Sequence, residues 1–264
     1  MAEKKKLRFR NTQFRELTTS QWQSIENLID TTKRKRKTDL RQVVNAILRI
    51  TKTGVAWRDL EGDYPPWQTV FYYFRKWQKD GTFEAVLAVL REKLRVQLGR
   101  EATPSMVAVD SQSVRKGPLV SIETGIDGGK KINGRKRHYA VDLLGLPVAI
   151  WVTAANVHDG QAGFELLWRL EKPAPRLTLI RADHSYLGEF STSATYYGWT
   201  VEVTQKPPST KGFIPQKGRW QVERSFAWLN FFRRLAKDYE KTVASAVAFN
   251  QLAFISIILS KTAS

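Results

Sequence analysis

Through the first hundred positions, apolar residues recur every three or four places, the spacing that gathers them on one face of a helix. In TTSQWQSIENLI, Trp22, Ile25, Leu28 and Ile29 share such a face, and Ser20 with Gln23 three residues later supplies a capping signal at its start. The basic run KRKRK at 33–37 separates this helix from a second, whose apolar face is Leu40, Val43, Val44, Ile47 and Leu48 and whose end is expected near Gly54. After the short VAWRDL stretch, Pro65 and Pro66 introduce a third helix, with Val70, Phe71, Phe74 and Trp77 inward and Gly81 as its stop. A fourth, over 82–98, buries Phe83, Val86, Leu87, Leu90 and Leu94. Helix, short helix after a glycine turn, then helix is the outline of a helix-turn-helix. Its last member would expose Gln68, Thr69, Tyr72, Tyr73, Arg75, Lys76 and Lys79, groups suited to phosphates and base edges.

After residue 104 the period changes. SMVAVDSQSV is a short apolar run holding one acid, and HYAVDLLGLPVAIWVTAAN reads as two strands joined by a tight turn around Leu144-Gly145. QAGFELLWRL is a helix, RLTLIRAD and WTVEVT are strands, and RWQVERSFAWLNFFRRLAKDYE reads as one long helix. A last helix begins near 242; Asn250, Gln251 and Ser256 interrupt its apolar stretch, so it reads as a buried terminal helix rather than a membrane span. The order predicts an α/β domain over 101–264, a mixed sheet flanked by helices, preceded by an all-α domain over 1–100.

Charge then narrows the partner. Lys and Arg number 43 against 25 Asp and Glu, a net +18, and a balance this basic points to nucleic acid. Residues 1–100 hold 22 of the basic and 11 of the acidic side chains, which places much of the excess on the helical segment. The chain contains no Cys, so disulfides, cysteine zinc sites and a thiol nucleophile are excluded. The charges of MAEKKKLRFR are followed by no apolar segment of a signal peptide, and a cytoplasmic, nucleoid-associated protein is expected.

Three acids have settings that invite chemistry. Asp110 ends VAVD, Asp183 ends LTLIRAD, and Glu223 lies on the polar side of the helix from 219, in line with Arg219, Asn230 and Arg234 by three- and four-residue spacing. If the first strand and the strand after the first helix lie side by side, and the later helix packs across the same sheet, the three converge. Clustered carboxylates repel unless a cation joins them, and hard oxygen donors favour Mg2+ or Mn2+. Two such ions can activate an attacking oxygen and stabilise the departing one on a phosphodiester. Asp142, in the predicted hairpin, reads as structural, and His158 with Asp159 reads equally well as a helix cap. The segment KKINGRKR at 130–137 reads as a loop that clamps DNA through Lys130, Lys131, Arg135, Lys136 and Arg137.

VAVDSQSVRKGP, GGKKINGRKRHYAVDLLGLPVAIWVTAANVHDG, IRADHSYLG and RWQVERSFAWLNFFRRLAKDYE, in this order, resemble the DDE transposases of bacterial insertion sequences, in the insertion-sequence-five family. GVAWRDLEGDYPPWQTVFYYFRKWQKDGTF is similar to that family's leading segment. The resemblance implies a ribonuclease H-like catalytic domain, a catalytic and metal-binding triad of Asp110, Asp183 and Glu223 served by two ions, and work on paired DNA ends as a dimer or larger assembly. It implies double-stranded DNA as substrate, both the terminal inverted repeats and the target. DNA contacts are expected from Gln68, Thr69, Tyr72 and Arg75, from Arg115 and Lys116 beyond the first acid, from the 130–137 segment, and from Arg219. Arg219 stands four residues before Glu223, as in the family's Tyr, Arg, Glu, Lys signature, but the Tyr position is Gln216 and the Lys position is Asn230; Arg233 and Arg234 are candidates for the missing phosphate contact. Forty residues part the second and third acids, too few for a large insertion domain. Two other readings stand beside this one: a hydrolytic nuclease of the same fold, and a non-catalytic DNA-binding protein derived from a transposase.

Overall fold

The computed structural model describes residues 13–29, 32, 37–203 and 220–262. Arg219, Gln216 and most of the basic run at 33–37 lie outside the described residues.

Four helices come first, α1 (Thr19–Ile29), α2 (Leu40–Thr53), α3 (Trp67–Lys79) and α4 (Thr82–Gln97), with a 3-10 turn at Trp57–Asp59 between α2 and α3. The cap of α1 differs from the expected Ser20–Gln23 box. It is set by Thr18, whose Oγ1 accepts from the Gln21 N–H at 3.2 Å while its own N–H donates to Gln21 Oε1 at 2.9 Å. Both pairs have the three-residue spacing of a capping box, and the helix starts earlier than the sequence pattern indicates. Asp39 caps α2 by accepting from the Arg41 N–H at 2.8 Å, and Gly54 ends it at φ 73°, a left-handed conformation that favours glycine.

The sheet strands are β1 (Met106–Arg115), β2 (Gly125–Asp127), β3 (Ile132–Val141), β4 (Pro147–Ala154), β5 (Leu179–Ala182) and β6 (Thr200–Val203). Their order is β2-β3-β1-β5-β6, with β4 also on β3; β1, β2, β3 and β4 pair antiparallel, while β1, β5 and β6 run parallel. α5 (Asp159–Glu171) joins β4 to β5, and α6 (Glu189–Tyr196) joins β5 to β6. α7 (Trp220–Leu229) and α8 (Val243–Thr262) follow. This is a mixed sheet with helices on both faces, the ribonuclease H-like architecture that the resemblance implied.

Alternation along β1 and β3 divides the core. Val107, Val109 and Ala140 face α5 and α6, meeting Leu166, Leu170, Tyr186 and Phe190. Ala108, Tyr139 and Val141 face the other way, into a cluster that includes α7, α8 and all four N-terminal helices. That cluster crosses the boundary expected at residue 100, so the helical segment is packed onto the sheet. Phe74 of α3 stacks on Phe249 of α8 at 4.9 Å, and Phe254 of α8 meets Tyr139 edge-on at 6.1 Å. α8 is long and apolar enough to span a membrane by composition, yet Phe249, Leu252, Phe254, Ile257 and Ile258 are all buried in this core. It is a core helix, as its interrupted apolar run predicts.

The single long helix expected over 219–240 is broken. α7 ends at Leu229, and a 3-10 turn at Arg233–Leu235 follows. Phe232, fully buried, turns the chain inward, and Arg234 pairs with Glu240 at 2.7 Å and stacks over Phe249 at 5.0 Å. Arg234 therefore does not continue the stripe of Glu223 and Asn230. Arg233 remains exposed.

Candidate active site

The parallel register of β1 and β5 sets Ala108 opposite Arg181. Two residues further along each chain stand Asp110 and Asp183, so the register brings Asp110, midway along β1, beside Asp183, just past the end of β5. Both are half-buried. The Asp110 Oδ1 accepts from the Ser111 N–H at 2.7 Å, and the Asp183 Oδ1 accepts from the Ser185 N–H at 2.9 Å and from the Ser185 hydroxyl. The Asp183 bond is the local turn that Asp makes with the amide two residues on, and it starts the 3-10 turn at His184–Tyr186. Asp183 is thus both a loop cap and a carboxylate fixed beside a second carboxylate.

α7 covers the sheet face that carries Asp110. Its Val222 is fully buried, and Phe226 meets Tyr139 edge-on at 5.3 Å, Tyr139 being the residue paired with Asp110 across β1 and β3. Glu223, one turn before Phe226, is exposed. Among the described residues no three His, Asp or Glu side chains stand close enough to share a metal ion. The site therefore consists of an adjacent pair, Asp110 and Asp183, with Glu223 on the covering helix. Two half-buried carboxylates, each aimed by a backbone N–H, are hard oxygen donors of the kind that Mg2+ or Mn2+ takes, so this donor set fits a divalent ion.

Behind the site lies a polar network that sequence reading did not resolve. Ser111 points to the opposite sheet face and donates its hydroxyl to Asp159 at 2.9 Å; Lys136 pairs with the same carboxylate oxygen at 3.2 Å. The α5 cap is His158, whose Nδ1 accepts from the Gly160 N–H at 3.2 Å, so Asp159 is spared the capping role and braces β1 against β3. His138 is fully buried beside it, with Nε2 2.9 Å from the Thr153 hydroxyl. Burial pushes the His138 pKa down to about 4, against the opposing pull of Asp159 and with a small push from Lys136 and Lys130. Asp142 is structural, as expected: it accepts from the Leu144 and Leu146 amides, holding the hairpin turn, and pairs with Arg95 of α4.

The 130–137 segment is corrected. It is mostly strand β3, and three of its cations face inward. Arg135 is fully buried and donates to the Glu240 carbonyl at 2.8 Å, to the Ile122 carbonyl at 2.7 Å and to Asp238 at 3.3 Å. Lys136 is buried against Asp159, and Arg137 donates to the Leu235 carbonyl at 3.0 Å. These side chains are consumed by internal partners, because a desolvated cation must be paired. Lys130 and Lys131 remain exposed at the turn before β3, Arg115 is exposed at the end of β1, and Lys116 is half-buried. On α3, Gln68, Tyr72, Arg75, Lys76 and Lys79 include the exposed groups expected, with Gln68 and Thr69 flanking the helix start and Tyr73 half-buried against the core. A groove of about 240 Å³ is lined by Gln112, Arg115, Arg137, Asn230, Leu235 and Lys237.

Family models cover most of this structure. Residues 17–87 match "Putative transposase of IS4/5 family", and residues 101–193 and 198–260 match two models, each described as "Transposase DDE domain". Asp110 and Asp183 fall within the first DDE match and Glu223 within the second. The chain belongs to the DDE transposase family. A curated relative from Burkholderia cepacia, "Putative transposase for insertion sequence element IS402", is 32% identical over 126 residues, which is 45% of this chain and 60% of the relative. The chain thus spans less than two thirds of that relative's length. Within this chain the two DDE matches are parted at the end of α6, before β6, so the residues carrying the aspartate pair and the helix carrying Glu223 are matched separately.

Proposed function

We propose that the chain cuts DNA at the ends of an insertion sequence and joins the freed 3′-hydroxyl ends to target DNA, in reactions that depend on two divalent ions. The observation that carries this reading is the β1–β5 register, which sets Asp110 beside Asp183 on the sheet face covered by the Glu223 helix. In this reading Asp110 and Asp183 hold the ions and Glu223 completes the set. When bound, Mg2+ or Mn2+ supplies Lewis acidity at the phosphodiester and favours the in-line displacement. The Ser111 and Ser185 amides keep the two aspartates aimed, and the Asp159–Ser111–Lys136 network keeps β1 and β3 from shifting beneath them. Helix α3, through Gln68, Thr69, Tyr72 and Arg75, reads the element ends. Arg115, Lys116, Lys130, Lys131 and Arg219 hold phosphates nearer the cut. The protein works as a dimer or larger assembly on paired ends.

The test uses the purified chain and duplexes made from the DNA that flanks its own coding sequence. Asp110→Asn, Asp183→Asn and Glu223→Gln should each lower cleavage and joining by several orders of magnitude while end binding persists. Ca2+ should support binding with little chemistry, because its looser coordination positions oxygens poorly. Full activity in a chelator refutes the metal-dependent reading. Cleavage without joining would assign a hydrolytic nuclease instead.

A further inference from the structure

Between β1 and β2 the chain makes a loop whose backbone is fixed and whose tip is apolar. Gly117 donates its N–H to the Asp238 carbonyl at 2.6 Å, and Asp238 donates back to the Arg115 carbonyl at 2.8 Å. The buried Arg135 guanidinium grips the Ile122 carbonyl at 2.7 Å and the Glu123 carbonyl at 3.2 Å. Val120 is buried. Glu123 sits at φ 49°, a left-handed conformation that a non-glycine residue holds only where its surroundings impose it. On this braced frame Leu119 is 93% exposed, and along the same segment Ile122 is 45% and Ile126 61% exposed.

A single exposed leucine on a protein surface needs no explanation. Here the backbone that carries it is held by a buried cation and a strand-like bridge, and two further exposed apolar residues, Ile122 and Ile126, follow it in the chain. Exposed cations flank the loop and the segments bonded to it: Arg115 precedes it, Lys130 and Lys131 stand in the turn between β2 and β3, and Lys237 and Lys241 lie on the 237–241 segment, whose Tyr239 packs against Gly117. Glu123 is the one acid within residues 116–124. The groove lined by Gln112, Arg115 and Lys237 lies along the last residues of β1 before this loop.

We propose that Leu119 is a wedge that inserts between stacked base pairs of duplex DNA, while the exposed cations hold the flanking phosphates. Apolar side chains used in this way unstack a base step and kink the duplex, and they need a rigid mount to do so. Arg115 lies five residues after Asp110, about 16 Å along an extended strand, so the loop that bears Leu119 leaves β1 roughly five base-pair steps from Asp110. The inference rests on the reading that the chain acts on DNA, and it adds where the duplex is deformed and by which residue.

The test places 2-aminopurine, whose fluorescence rises on unstacking, at successive positions of duplexes made from the DNA flanking the coding sequence. The full chain carrying Asp183→Asn is added without metal, so that no cutting occurs. Fluorescence should rise severalfold at one or two adjacent positions. Leu119→Ser should abolish the rise, with affinity changed less than about tenfold, an unchanged salt slope and an unchanged melting temperature, because the side chain touches solvent. Arg115→Gln with Lys130→Gln and Lys131→Gln should lower affinity and salt slope together. A bound duplex with no fluorescence rise, or a rise that survives Leu119→Ser, overturns the wedge. No binding to any duplex overturns the DNA reading and the wedge with it. If Leu119→Ser turns an oligomer into a monomer and leaves the fluorescence signal unchanged, the loop is an interface between copies of the chain and the wedge is wrong.

Discussion

Replacing Arg135 with Met tests whether this cation is a brace or a DNA-binding group. In the fold it is fully buried, and its donors reach the carbonyls of Ile122, Glu123 and Glu240 and the carboxylate of Asp238, itself 1% exposed. Met keeps much of the aliphatic volume and removes every donor. Breaking a buried pair from one side leaves a desolvated carboxylate, a loss of about 3–5 kcal/mol, and the orphaned carbonyls add to it. Asp238 keeps one bond, from the Glu240 N–H at 3.0 Å, which argues for the middle of that range, about 4 kcal/mol. For a chain of this size the melting temperature should fall by roughly 8–16 °C. Urea unfolding followed by circular dichroism reads the loss directly. Arg135→Met combined with Asp238→Leu should recover part of it, since removing both partners leaves no buried charge. A loss under about 1 kcal/mol, joined to a flatter salt dependence of DNA binding, would refute the brace and restore Arg135 as a phosphate ligand.

His138 makes folding sensitive to acid. Its folded pKa of about 4 lies below the unfolded value near 6.5, so the unfolded chain takes up a proton first and stability falls as pH drops through that window, by about 3 kcal/mol. Urea midpoints between pH 7 and pH 4 should show this slope, and His138→Gln should remove it; an equal slope in the variant would assign the acid sensitivity to another group. Replacing Gln68, Thr69, Tyr72 and Arg75 on α3 should erase the preference for end DNA over random DNA in competition binding and leave most of the salt slope, because base edges carry the sequence information. Replacing Lys130 and Lys131 should instead weaken binding to all DNA, lowering the salt slope by roughly one unit for each phosphate no longer neutralised. Failed discrimination in the lysine variant alone would reverse the two assignments.

The start of β1 and the whole of β5 are legible because each is an apolar run that leads to an acid, and buried parallel strands are near-continuous in hydrophobicity; the polar half of β1 beyond Asp110 is not. The helices of the first hundred residues are legible from their apolar faces. β3 defeats the same reading. INGRKRH carries no apolar alternation, and its cations are buried only because partners arrive from far along the chain: Asp238 lies 103 residues from Arg135, and Leu235 lies 98 from Arg137. Charge without visible partners reads as surface. The break after Leu229 is hidden for a related reason, since the apolar spacing continues through Phe232 although that side chain is buried by turning the backbone. Asp159 has the position of a helix cap, and only the fold reveals that neighbouring His158 caps the helix and leaves the acid to Ser111 and Lys136.

The aromatic packing through α8 bears on how a recognised sequence relates to a reacting bond. Phe74 of α3 rests on Phe249, and Phe254, further along the same helix, rests on Tyr139, which is paired across the strands with Asp110. The path from α3 to the aspartates thus runs through packed side chains, and under the proposed function the reader and the cutting site act as a gauge of set length. With a tethered reader, a substrate with one extra base pair would be cut one position over. A gauge has no such slack. Each inserted base pair advances the bond by one step and also turns it by roughly 35° around the duplex axis. Half a helical turn of spacer would present the wrong side of the DNA, and a full turn would restore the angle but not the reach.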